Sequence, residues 1–558
     1  LNTMPFTDPA AYQVLKDANT TAVFQLESEG MKRLLEKLKP DRFEDIIAVL
    51  ALYRPGPLGS GMVDDFILRK AGKQAIDYFH PDLTKCLEPT YGVIVYQEQV
   101  MQISQIIGGY TLGGADMLRR AMGKKKPEEM AKHRATIADG AKQKGYDPAL
   151  AEQLFDLMTK FAEYGFNKSH TAAYAVVSYQ TAWLKAHHCA AFMAATMSSE
   201  LDNTDQLRVF YEDVLANRLK MLPPDVNQGF YRFVPVSRKE IRYALGAIKG
   251  TGEAAVEHIV AERAKNGPFK DLFDFCKRTD KRLVNKRVIE ALIRGGAFDS
   301  IDDHRAKLLA NVQLALDQAE QIASNANQGG LFDMFDDIAP AIEMVDCRRW
   351  DTIQRLAEEK LAIGYYLSGH PFEGYAPEVR GFVKQQLNRL GTSKELQLLS
   401  GVVLEVRVKQ TQRGRMAFVK LDDASGQVEV SVFSELFDAC RNKIKEDSLL
   451  VIEAKVSYDD YSGGNRIVAD KVFDLAEARS RFAKKLALKM NGRSDCHKLR
   501  SLLEPYKAEG CPVSIEYHNG TAQCELMLGQ AWRVTLRKEL LDQLKGWLGE
   551  SSVEICYS

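Results

Sequence analysis

The hydrophobic pattern of this chain changes character once, near residue 398, and that change limits the folds the chain can adopt. Before it, apolar residues recur every three or four positions, as at Met31, Leu34, Leu35 and Leu38, where Pro40 ends the run. This spacing predicts amphipathic helices. After it, short β-rich segments alternate with turn residues, which predicts strands. The 558 residues suffice for roughly three to five domains, so we expect a multidomain α+β protein with its helical part first.

Composition changes divide the helical part. Leu222-Pro223-Pro224-Asp225 is a strong breaker and predicts a domain boundary. Helical patterns return over residues 252–316. An amide- and Ala-rich stretch at residues 318–330, followed by an acidic, Pro-containing stretch to residue 345, predicts a linker that does not fold alone.

The β part divides in two. Five β-rich segments between residues 399 and 473, with a helix-like insert at residues 434–444, predict a small Greek-key barrel of the OB type. Residues 484–556 read as β-α-β-β-α-β, which suggests a compact ferredoxin-like α+β domain. The predicted domains are residues 1–225, 226–345, 346–395 (a helical connector), 396–478 and 479–558.

Charge and cysteine content exclude several classes of protein. The 75 Lys and Arg residues balance 75 Asp and Glu residues, which excludes a uniformly basic DNA-coating protein but not local basic patches. No apolar run approaches the roughly 20 residues of a membrane helix, so we expect no membrane partner. The nine cysteines are scattered without a CxxC pair, which predicts reduced thiols, a cytoplasmic protein and no structural zinc.

The densest basic segment begins with Arg119 and Arg120 and continues with Lys124, Lys125 and Lys126. Adjacent guanidinium groups near the end of a helix can bind a triphosphate. A solvated basic face is the alternative interpretation.

A second candidate segment is Phe166-Asn167-Lys168-Ser169-His170. Lys168 and His170 place hydrogen-bond donors beside aromatic residues at a predicted helix start, which suits a sugar-phosphate or a stacked base. A capped helix over an aromatic core would give the same pattern.

Ile248-Lys249-Gly250-Thr251-Gly252-Glu253 predicts a helix-hairpin-helix turn. The glycines Gly250 and Gly252 leave backbone N–H groups free at a helix N-terminus, where they hold a DNA phosphate without reading sequence, and Lys249 lies beside them. A basic segment follows, with candidate DNA contacts at Lys281, Arg282, Lys286 and Arg287. An ordinary αα-turn is the alternative.

The predicted linker contains Gln328-Gly329-Gly330-Leu331-Phe332. In an extended peptide, Leu331 and Phe332 can fill a hydrophobic pocket of a partner while Gln328 forms hydrogen bonds at its rim. A chance match is the alternative for so short a motif.

Basic and aromatic residues also mark the predicted barrel. Arg413 and Arg415 lie on its first hairpin, and Phe418 and Phe433 lie on strands. Basic loops with strand aromatics suit single-stranded DNA. For Phe433 we expect a position inside the barrel instead.

Motifs for catalysis are missing from the sequence. There is no P-loop, Lys-x-Asp-Gly, HExxH or GxSxG motif, and no convincing pair of strand carboxylates for two Mg²⁺ ions. Asp422-Asp423 and Asp459-Asp460 fall in predicted barrel turns. We therefore assign no catalytic residue and no metal site to this chain.

Long, ungapped motifs in a fixed order resemble a known family. They are Val23-Phe24-Gln25-Leu26-Glu27-Ser28, Tyr53-Arg54-Pro55-Gly56-Pro57, Pro89-Thr90-Tyr91-Gly92, Tyr96-Gln97-Glu98-Gln99, Leu118-Arg119-Arg120 and Phe166-Asn167-Lys168-Ser169-His170. The chain resembles the bacterial DNA polymerase III alpha subunit, a C-family replicative polymerase, over essentially its whole length.

The resemblance implies roles for the residues above. Residues 1–225 would be the fingers, in which Arg119 and Arg120 contact the incoming dNTP and Lys168 and His170 lie near the nascent base pair. The hairpin region would grip duplex DNA, and the linker peptide would bind the beta sliding clamp. The barrel would face single-stranded template, and the final domain would bind the tau subunit of the clamp loader.

The resemblance also implies what is missing. The family's phosphoesterase-like domain, thumb and palm would precede Leu1. They would carry the aspartates that bind Mg²⁺ and the region that binds the proofreading exonuclease subunit. We therefore expect a C-terminal portion of a DNA-directed DNA polymerase that is inactive alone. The alternative is a non-catalytic DNA-binding adaptor that links sliding clamp and clamp loader. A DNA ligase is disfavoured by the missing Lys-x-Asp-Gly motif.

Overall fold

The computed structural model describes residues 3–59, 61–124, 127–162, 166–327, 344–412, 414–459, 464–491, 495–518 and 520–557. They fall into two compact units. One lies within Leu1–Asp303 and Asn311–Ala341, and the other within His304–Ala310 and Ile342–Ser558.

The first part of the first unit is helical, as the sequence predicts. Its helices are α1 Pro9–Lys16, α2 Glu29–Leu38, α3 Phe43–Leu52, α4 Pro55–Gly59, α5 Met62–Lys70, α6 Thr84–Leu87, α7 Gln97–Ile106, α8 Leu112–Lys124, α9 Pro127–Gln143, α10 Pro148–Ala162, α11 Lys168–Ser199 and α12 Thr204–Ala216. Their apolar faces form two cores. One gathers α1, α2, α3 and part of α11, and the other gathers α7 to α10.

Helix α2 shows how local sequence fixes these elements. Ser28 begins it, since its hydroxyl oxygen accepts the Met31 N–H, which satisfies one of the donors that a helix start leaves free. Met31, Leu34, Leu35 and Leu38 are all buried. The predicted apolar face is therefore confirmed.

Helix α11 is the longest helix of the described residues and supports much of the first unit. The side chain of Asn167 begins it by accepting the His170 N–H at 3.0 Å. At His188 the backbone leaves the helical region, which marks a kink. The helix packs against α1 and α3, and Tyr179 is fully buried between them. Packing against α1 and α3 thus holds α11, including its start, in place.

The second part of the first unit follows a small sheet. Its elements are β1 Lys220–Leu222, β2 Val234–Ser237, β3 Glu240–Arg242, α13 Glu253–Asn266, α14 Leu272–Arg278, α15 Lys286–Arg294 and α17 Val312–Asn327. The strands are ordered β1-β3-β2. The boundary predicted at residue 225 lies between strands of this one sheet, because β1 pairs with β3 across the Pro-Pro turn.

The second unit begins with connector helices and a barrel. Its first elements are α16 Arg305–Ala310, α18 Thr352–Ile363, α19 Pro371–Val379, β4 Gln397–Thr411, β5 Gly414–Asp422, β6 Gln427–Val432, α20 Ser434–Cys440, β7 Leu449–Asp459, β8 Gly464–Phe473 and α21 Leu475–Phe482. The five strands close in the order β4-β5-β6-β8-β7, with Val403, Val419 and Val430 fully buried. The predicted OB-type barrel is confirmed.

A separate sheet ends the second unit. Its elements are β9 Lys485–Asn491, α22 Cys496–Leu503, β10 Lys507–Cys511, β11 Val513–His518, β12 Gln523–Met527, α23 Lys538–Leu548 and β13 Val553–Cys556. The predicted order of elements is present, with β10 in addition.

The arrangement within that sheet differs from the ferredoxin-like expectation. The strand order is β12-β11-β9-β13, and β9 lies directly beside β11 as a parallel neighbour. A ferredoxin-like sheet has a further strand between these two. The order of elements along a sequence does not decide which side of β11 its hairpin partner takes, and here β12 takes the outer edge.

Within the described ranges, none of the helices combines the length and the apolar character that crossing a bilayer requires.

Candidate nucleotide and nucleic-acid interface

A short backbone pairing joins the segment before α7 to the segment before α11. Tyr96 and Phe166 form a parallel β-bridge, and the Gln97 N–H donates to the Phe166 carbonyl at 2.9 Å. The Lys168 N–H then donates to the Glu98 carboxylate at 3.0 Å. The Glu98 carboxylate thus accepts a hydrogen bond from a backbone N–H at the start of α11. It lies where the helix dipole favours negative charge.

Arg119 is attached to the same segment. Its Nε and Nη2 donate to Asp116 Oδ1 at 3.0 and 2.7 Å, and its Nη1 donates to Gln97 Oε1 at 2.9 Å. Because Gln97 precedes Glu98, the Arg119 guanidinium and the start of α11 share one anchor. The structure therefore brings together two of the segments that the sequence singled out separately.

Asp116 also holds the second arginine. Arg120 Nε lies 2.8 Å from Asp116 Oδ2, and the Arg120 side chain is 67% exposed. The hydrogen bond from Arg119 lowers the pKa of Asp116 below its ordinary value. Sequence reasoning missed Asp116 and Gln97. The available signal was the position of Asp116, three and four residues before the arginines, where helical side chains meet.

The three lysines predicted to contact DNA after Arg120 fall outside the described side chains. Helix α8 ends at Lys124, whose side chain lies outside the described residues, as do Lys125 and Lys126.

Rings surround the predicted base-binding residues. The His170 ring centroid lies 5.4 Å from that of Phe166 and 4.4 Å from that of Tyr174. Lys168 Nζ lies 5.4 Å from the Tyr96 ring, and the Arg54 guanidinium lies 3.7 Å from the Phe166 ring. Contacts of this kind combine cations with aromatic faces.

The predicted hairpin turn presents open backbone donors. Gly250 has φ +87° and Gly252 begins α13, and a Cβ at either position would meet nothing within 4 Å. The N-cap residue of α13 is Gly252, which has no side chain to accept the first N–H groups of the helix. Thr251 is buried, and its hydroxyl donates to the Leu245 carbonyl at 2.5 Å. Beside the turn, Lys249 is exposed. The geometry suits a phosphate.

The basic residues that follow are mostly paired. Lys281 binds Glu320 at 2.9 Å. Arg282 binds Asp280 at 2.6 Å, and this hydrogen bonding lowers the pKa of Asp280 to about 2.

The last two basic candidates lie at the start of α15. Lys286 Nζ donates to Gln313 at 3.1 Å. Arg287 is exposed, and within the described ranges its side chain has no carboxylate at ion-pair distance. A phosphate would displace the fewest protein contacts at Arg287.

On the barrel, one expectation is wrong. Phe433 is 42% exposed instead of lying inside. Val430 and Val432 take the inward positions of β6, and alternation along a strand then directs residue 433 outward. Phe418 likewise lies outside, between the inward Ala417 and Val419 of β5.

Two basic residues were predicted to bind DNA on the first hairpin of the barrel. Arg413 lies outside the described residues. Arg415 forms an ion pair with Asp438 at 3.3 Å, and Arg407 pairs across strands with Phe418. The linker residues Gln328, Leu331 and Phe332 also lie outside the described residues.

No metal centre can be assembled from the described residues, since none of their His, Cys, Asp and Glu side chains form a group of three that could hold an ion. Among the described residues, no such group of three is available to hold a resident Mg²⁺.

Comparison with known families matches the chain module by module. Residues 1–145 match the bacterial DNA polymerase III alpha subunit finger domain, residues 218–308 a helix-hairpin-helix motif, residues 398–475 an OB-fold nucleic acid binding domain, and residues 498–549 the C-terminal domain of DNA polymerase III subunit alpha.

Curated relatives align along the whole chain. DNA polymerase III subunit alpha of Neisseria meningitidis (serogroup A, strain Z2491) is 52% identical over 560 residues, which cover 100% of this chain and 49% of that protein. The subunit of Vibrio cholerae is 47% identical and covers 100% of this chain and 49% of its own length. That of Escherichia coli K12 is 45% identical, with 99% and 49% covered.

The chain thus spans about half the length of the curated relatives it matches. Four family matches are distributed between residues 1 and 549. The relatives align along 99–100% of the chain. The chain belongs to the family of the bacterial DNA polymerase III alpha subunit.

Proposed function

We propose that this chain is the nucleotide-, DNA- and partner-binding portion of the alpha subunit of a bacterial replicative DNA polymerase. It binds the incoming dNTP and primed DNA, and it contacts the sliding clamp and the clamp loader in the cytoplasm during template-directed synthesis. The observation that carries the proposal is the shared anchor of Arg119 and the start of α11 on Gln97 and Glu98.

The arrangement suits a triphosphate for an electrostatic reason. The first N–H of α11 already donates to Glu98, so it is not available to a phosphate. Positively charged side chains would therefore bind the phosphates instead. Arg119 is held by three hydrogen bonds, and a fixed guanidinium loses little freedom when it binds an anion. Arg120 and Lys168 add two further positive charges.

Nucleotide titration tests this assignment. We expect Arg119→Gln to weaken binding of a fluorescent N-methylanthraniloyl-dATP with Mg²⁺ by about ten-fold or more, since hydrogen bonds to charged groups contribute about 1.5–3 kcal/mol. Arg119→Lys keeps the charge but not the planar fork, so its effect should be nearly as large. Arg208→Gln is the matched control, because Arg208 forms an exposed ion pair with Glu212 on α12.

The outcome also separates the two candidate functions. If wild-type chain binds no dNTP, or if Arg119→Gln binds as tightly as wild type, the nucleotide role is wrong. The chain would then be better described as a DNA-binding adaptor between clamp and clamp loader.

Partner binding is proposed from the linker and the last domain. Leu331 and Phe332 would bind the beta clamp with Gln328 at the rim, and residues 479–558 would bind tau. The double substitution Leu331→Ala and Phe332→Ala should abolish clamp pull-down while DNA affinity stays unchanged. Undiminished clamp capture would rule out this peptide.

We propose that nucleotide addition to the primer needs residues from the rest of the subunit. Mg²⁺ would be held there, on palm aspartates, and the proofreading exonuclease subunit would bind the N-terminal region of the full subunit. The isolated chain, supplied with dNTPs, Mg²⁺ and primed template, should therefore extend no primer. Extension by the chain alone would overturn this proposal.

A further inference from the structure

One buried side chain lies directly beside the shared anchor of Arg119 and α11. Gln99 follows Gln97 and Glu98 in the first turn of α7, and it is buried, unlike most glutamines. An amide carries two N–H donors and a carbonyl that can accept two hydrogen bonds, and a buried group left without a partner costs free energy. The partners of the Gln99 amide therefore indicate its role.

The Gln99 amide forms the full set of four hydrogen bonds that its chemistry allows. Its Oε1 accepts the Val95 N–H at 2.8 Å and the Tyr96 N–H at 3.0 Å. Its Nε2 donates to the Cys86 carbonyl at 3.2 Å and to Thr90 Oγ1 at 2.7 Å. Because both backbone N–H groups need an acceptor, they fix which end of the amide is the oxygen. A side chain that only accepts or only donates could not replace this amide.

The four partners belong to three different pieces of backbone. Cys86 lies in α6, and Thr90 ends the short helical turn that follows it. Val95 and Tyr96 belong to the extended segment that leads into α7. Thr90 is fully buried, and its hydroxyl in turn donates to the last carbonyl of α6 at 3.2 Å. Gln99 therefore joins the extended segment and the start of α7 to the helices that precede them.

The beginning of the extended segment is held by other contacts. Gly92 has φ +76°, and a Cβ at this position would lie 2.4 Å from the Asp77 carbonyl oxygen. Arg69 Nη1 donates to the carbonyl of Tyr91, the residue before it, at 3.3 Å. The first half of the segment is thus fixed without Gln99. Gln99 fixes the second half, which leads into α7.

The part of the chain that Gln99 fixes carries the contacts of the candidate nucleotide site. Gln97 accepts a hydrogen bond from Arg119, and Glu98 accepts one from the Lys168 N–H. A rotation of the first turn of α7 would displace both acceptors together. All four Gln99 hydrogen bonds are made within residues 86–96, so its amide has none left for a nucleotide. Gln99 can therefore act on the site only through its two neighbours.

We propose that Gln99 is a positioning residue of the nucleotide site. It sets the start of α7 so that Gln97 holds the Arg119 guanidinium and Glu98 holds the start of α11. Position matters here because a hydrogen bond from a guanidinium to a phosphate weakens steeply as its angle departs from linear. This role rests on the proposed nucleotide binding and adds a residue that does not touch the ligand.

Titration of the full chain with N-methylanthraniloyl-dATP and Mg²⁺ tests this role. Gln99→Met keeps the length of the side chain and removes all four hydrogen bonds, and we expect it to weaken binding by about three- to ten-fold. Ile103→Val is the matched control. Ile103 is fully buried one turn later on α7, and this change removes a methyl group without removing a hydrogen bond. The control should bind the nucleotide as tightly as wild type.

A double-mutant cycle separates positioning from a general loss of structure. If Gln99 acts through the contact of Gln97 with Arg119, Gln99→Met should weaken binding by about two-fold at most in the Arg119→Gln background. Equal losses in the two backgrounds, or wild-type affinity in Gln99→Met itself, would overturn the positioning role. If wild type binds no nucleotide, the proposed nucleotide binding itself fails, and this role fails with it.

Gln99→Glu provides the test if Gln99→Met does not fold. A carboxylate only accepts hydrogen bonds, whereas the protonated acid also donates one. Burial favours the protonated form, so the affinity of Gln99→Glu relative to wild type should recover as the pH falls from about 9 to about 6. The neighbours Cys86 and Tyr96 stay neutral over most of this range, because burial raises the pKa of Tyr96 and raises that of Cys86 to about 11. A relative affinity that does not change with pH would contradict the role of the amide donors.

Discussion

At the scale of single residues, a buried ion pair supports the loop that carries Phe24. Lys185 Nζ, whose side chain is fully buried, donates to Asp213 Oδ2 at 2.8 Å and to the Thr21 carbonyl at 2.9 Å. Burial lowers the pKa of Lys185 even though the Asp213 charge opposes that shift. The charged form of the Lys185 ammonium group is therefore stabilised by the Asp213 carboxylate and by the Thr21 carbonyl.

Removing one partner of this pair should be costly. We expect Asp213→Ala to lower the free energy of unfolding of the first unit by about 3–5 kcal/mol, because it leaves a buried charge without compensation. The double variant Lys185→Met with Asp213→Leu should lose much less. Urea unfolding followed by circular dichroism measures both. Equal losses in the single and double variants would contradict the argument.

The two hairpin glycines should respond differently to substitution. Gly250 has φ +87°, whereas Gly252 has an ordinary extended conformation, and neither site is crowded. We expect Gly250→Ala to cost about 1 kcal/mol of stability through backbone strain. Gly252→Val should leave the melting temperature nearly unchanged and weaken duplex binding equally for unrelated sequences. A loss that depends on sequence would contradict a phosphate-only contact.

At the scale of elements, the connector helix α19 is joined to the barrel through the turn between β5 and β6. His370 Nε2 lies 3.2 Å from Asp422 Oδ1, and Arg380 Nη2 lies 2.7 Å from Asp423 Oδ2. The Leu387 N–H also donates to Asp423. These turn aspartates are thus buried anchors, a role that their position in the sequence did not reveal.

This junction should weaken in acid. Burial alone would raise the pKa of both aspartates, but hydrogen bonds from His370 to Asp422, and from Ser425 and Arg380 to Asp423, lower it. A lowered folded-state pKa adds stability that is complete above the unfolded pKa of about 4. That stability is lost as the pH falls below it.

Hydrogen exchange checks this expectation. Protection factors of amides in α19 should fall between pH 6 and pH 3, after correction for intrinsic rates. Asp423→Asn should lower protection at pH 6 and reduce the change with pH. Identical pH profiles for wild type and variant would contradict the assignment.

Local pattern predicted most elements, because periodicity reports which face of a helix or strand is buried. The apolar face of α2 and the five barrel strands follow directly from it. The prediction that Phe433 lies inside the barrel was wrong. Its outward position follows from the inward positions of Val430 and Val432. The ferredoxin-like expectation also puts β12 between β9 and β11, whereas β12 lies at the outer edge of the sheet, since the edge that a hairpin takes depends on which neighbour is already paired.

At the scale of the whole molecule, zero net charge coexists with candidate DNA-binding surfaces because many cations are paired within the protein. Lys281 with Glu320 and Arg282 with Asp280 are examples. A phosphate that binds such a cation replaces an existing carboxylate contact. Cations that have no carboxylate partner in the described part of the chain, such as Arg287, should contribute more to DNA affinity.

Salt dependence of duplex binding measures this difference. Arg287→Ala should reduce the slope of log K against log salt concentration by about 1, the value for one phosphate contact. Lys281→Ala should change the slope less. A larger change for Lys281→Ala than for Arg287→Ala would show that ion pairing within the protein does not rank these contacts.

The sequence by itself determined the order of modules, the apolar faces of helices and the glycine turn at Gly250 and Gly252, because these depend on neighbours along the chain. Only the tertiary structure decided that Gln97 and Glu98 join Arg119 to α11, and that the Phe24 ring packs 5.2 Å from the Tyr174 ring of that helix. These contacts link residues far apart in sequence. Their geometry follows from how helices pack, which no local pattern encodes.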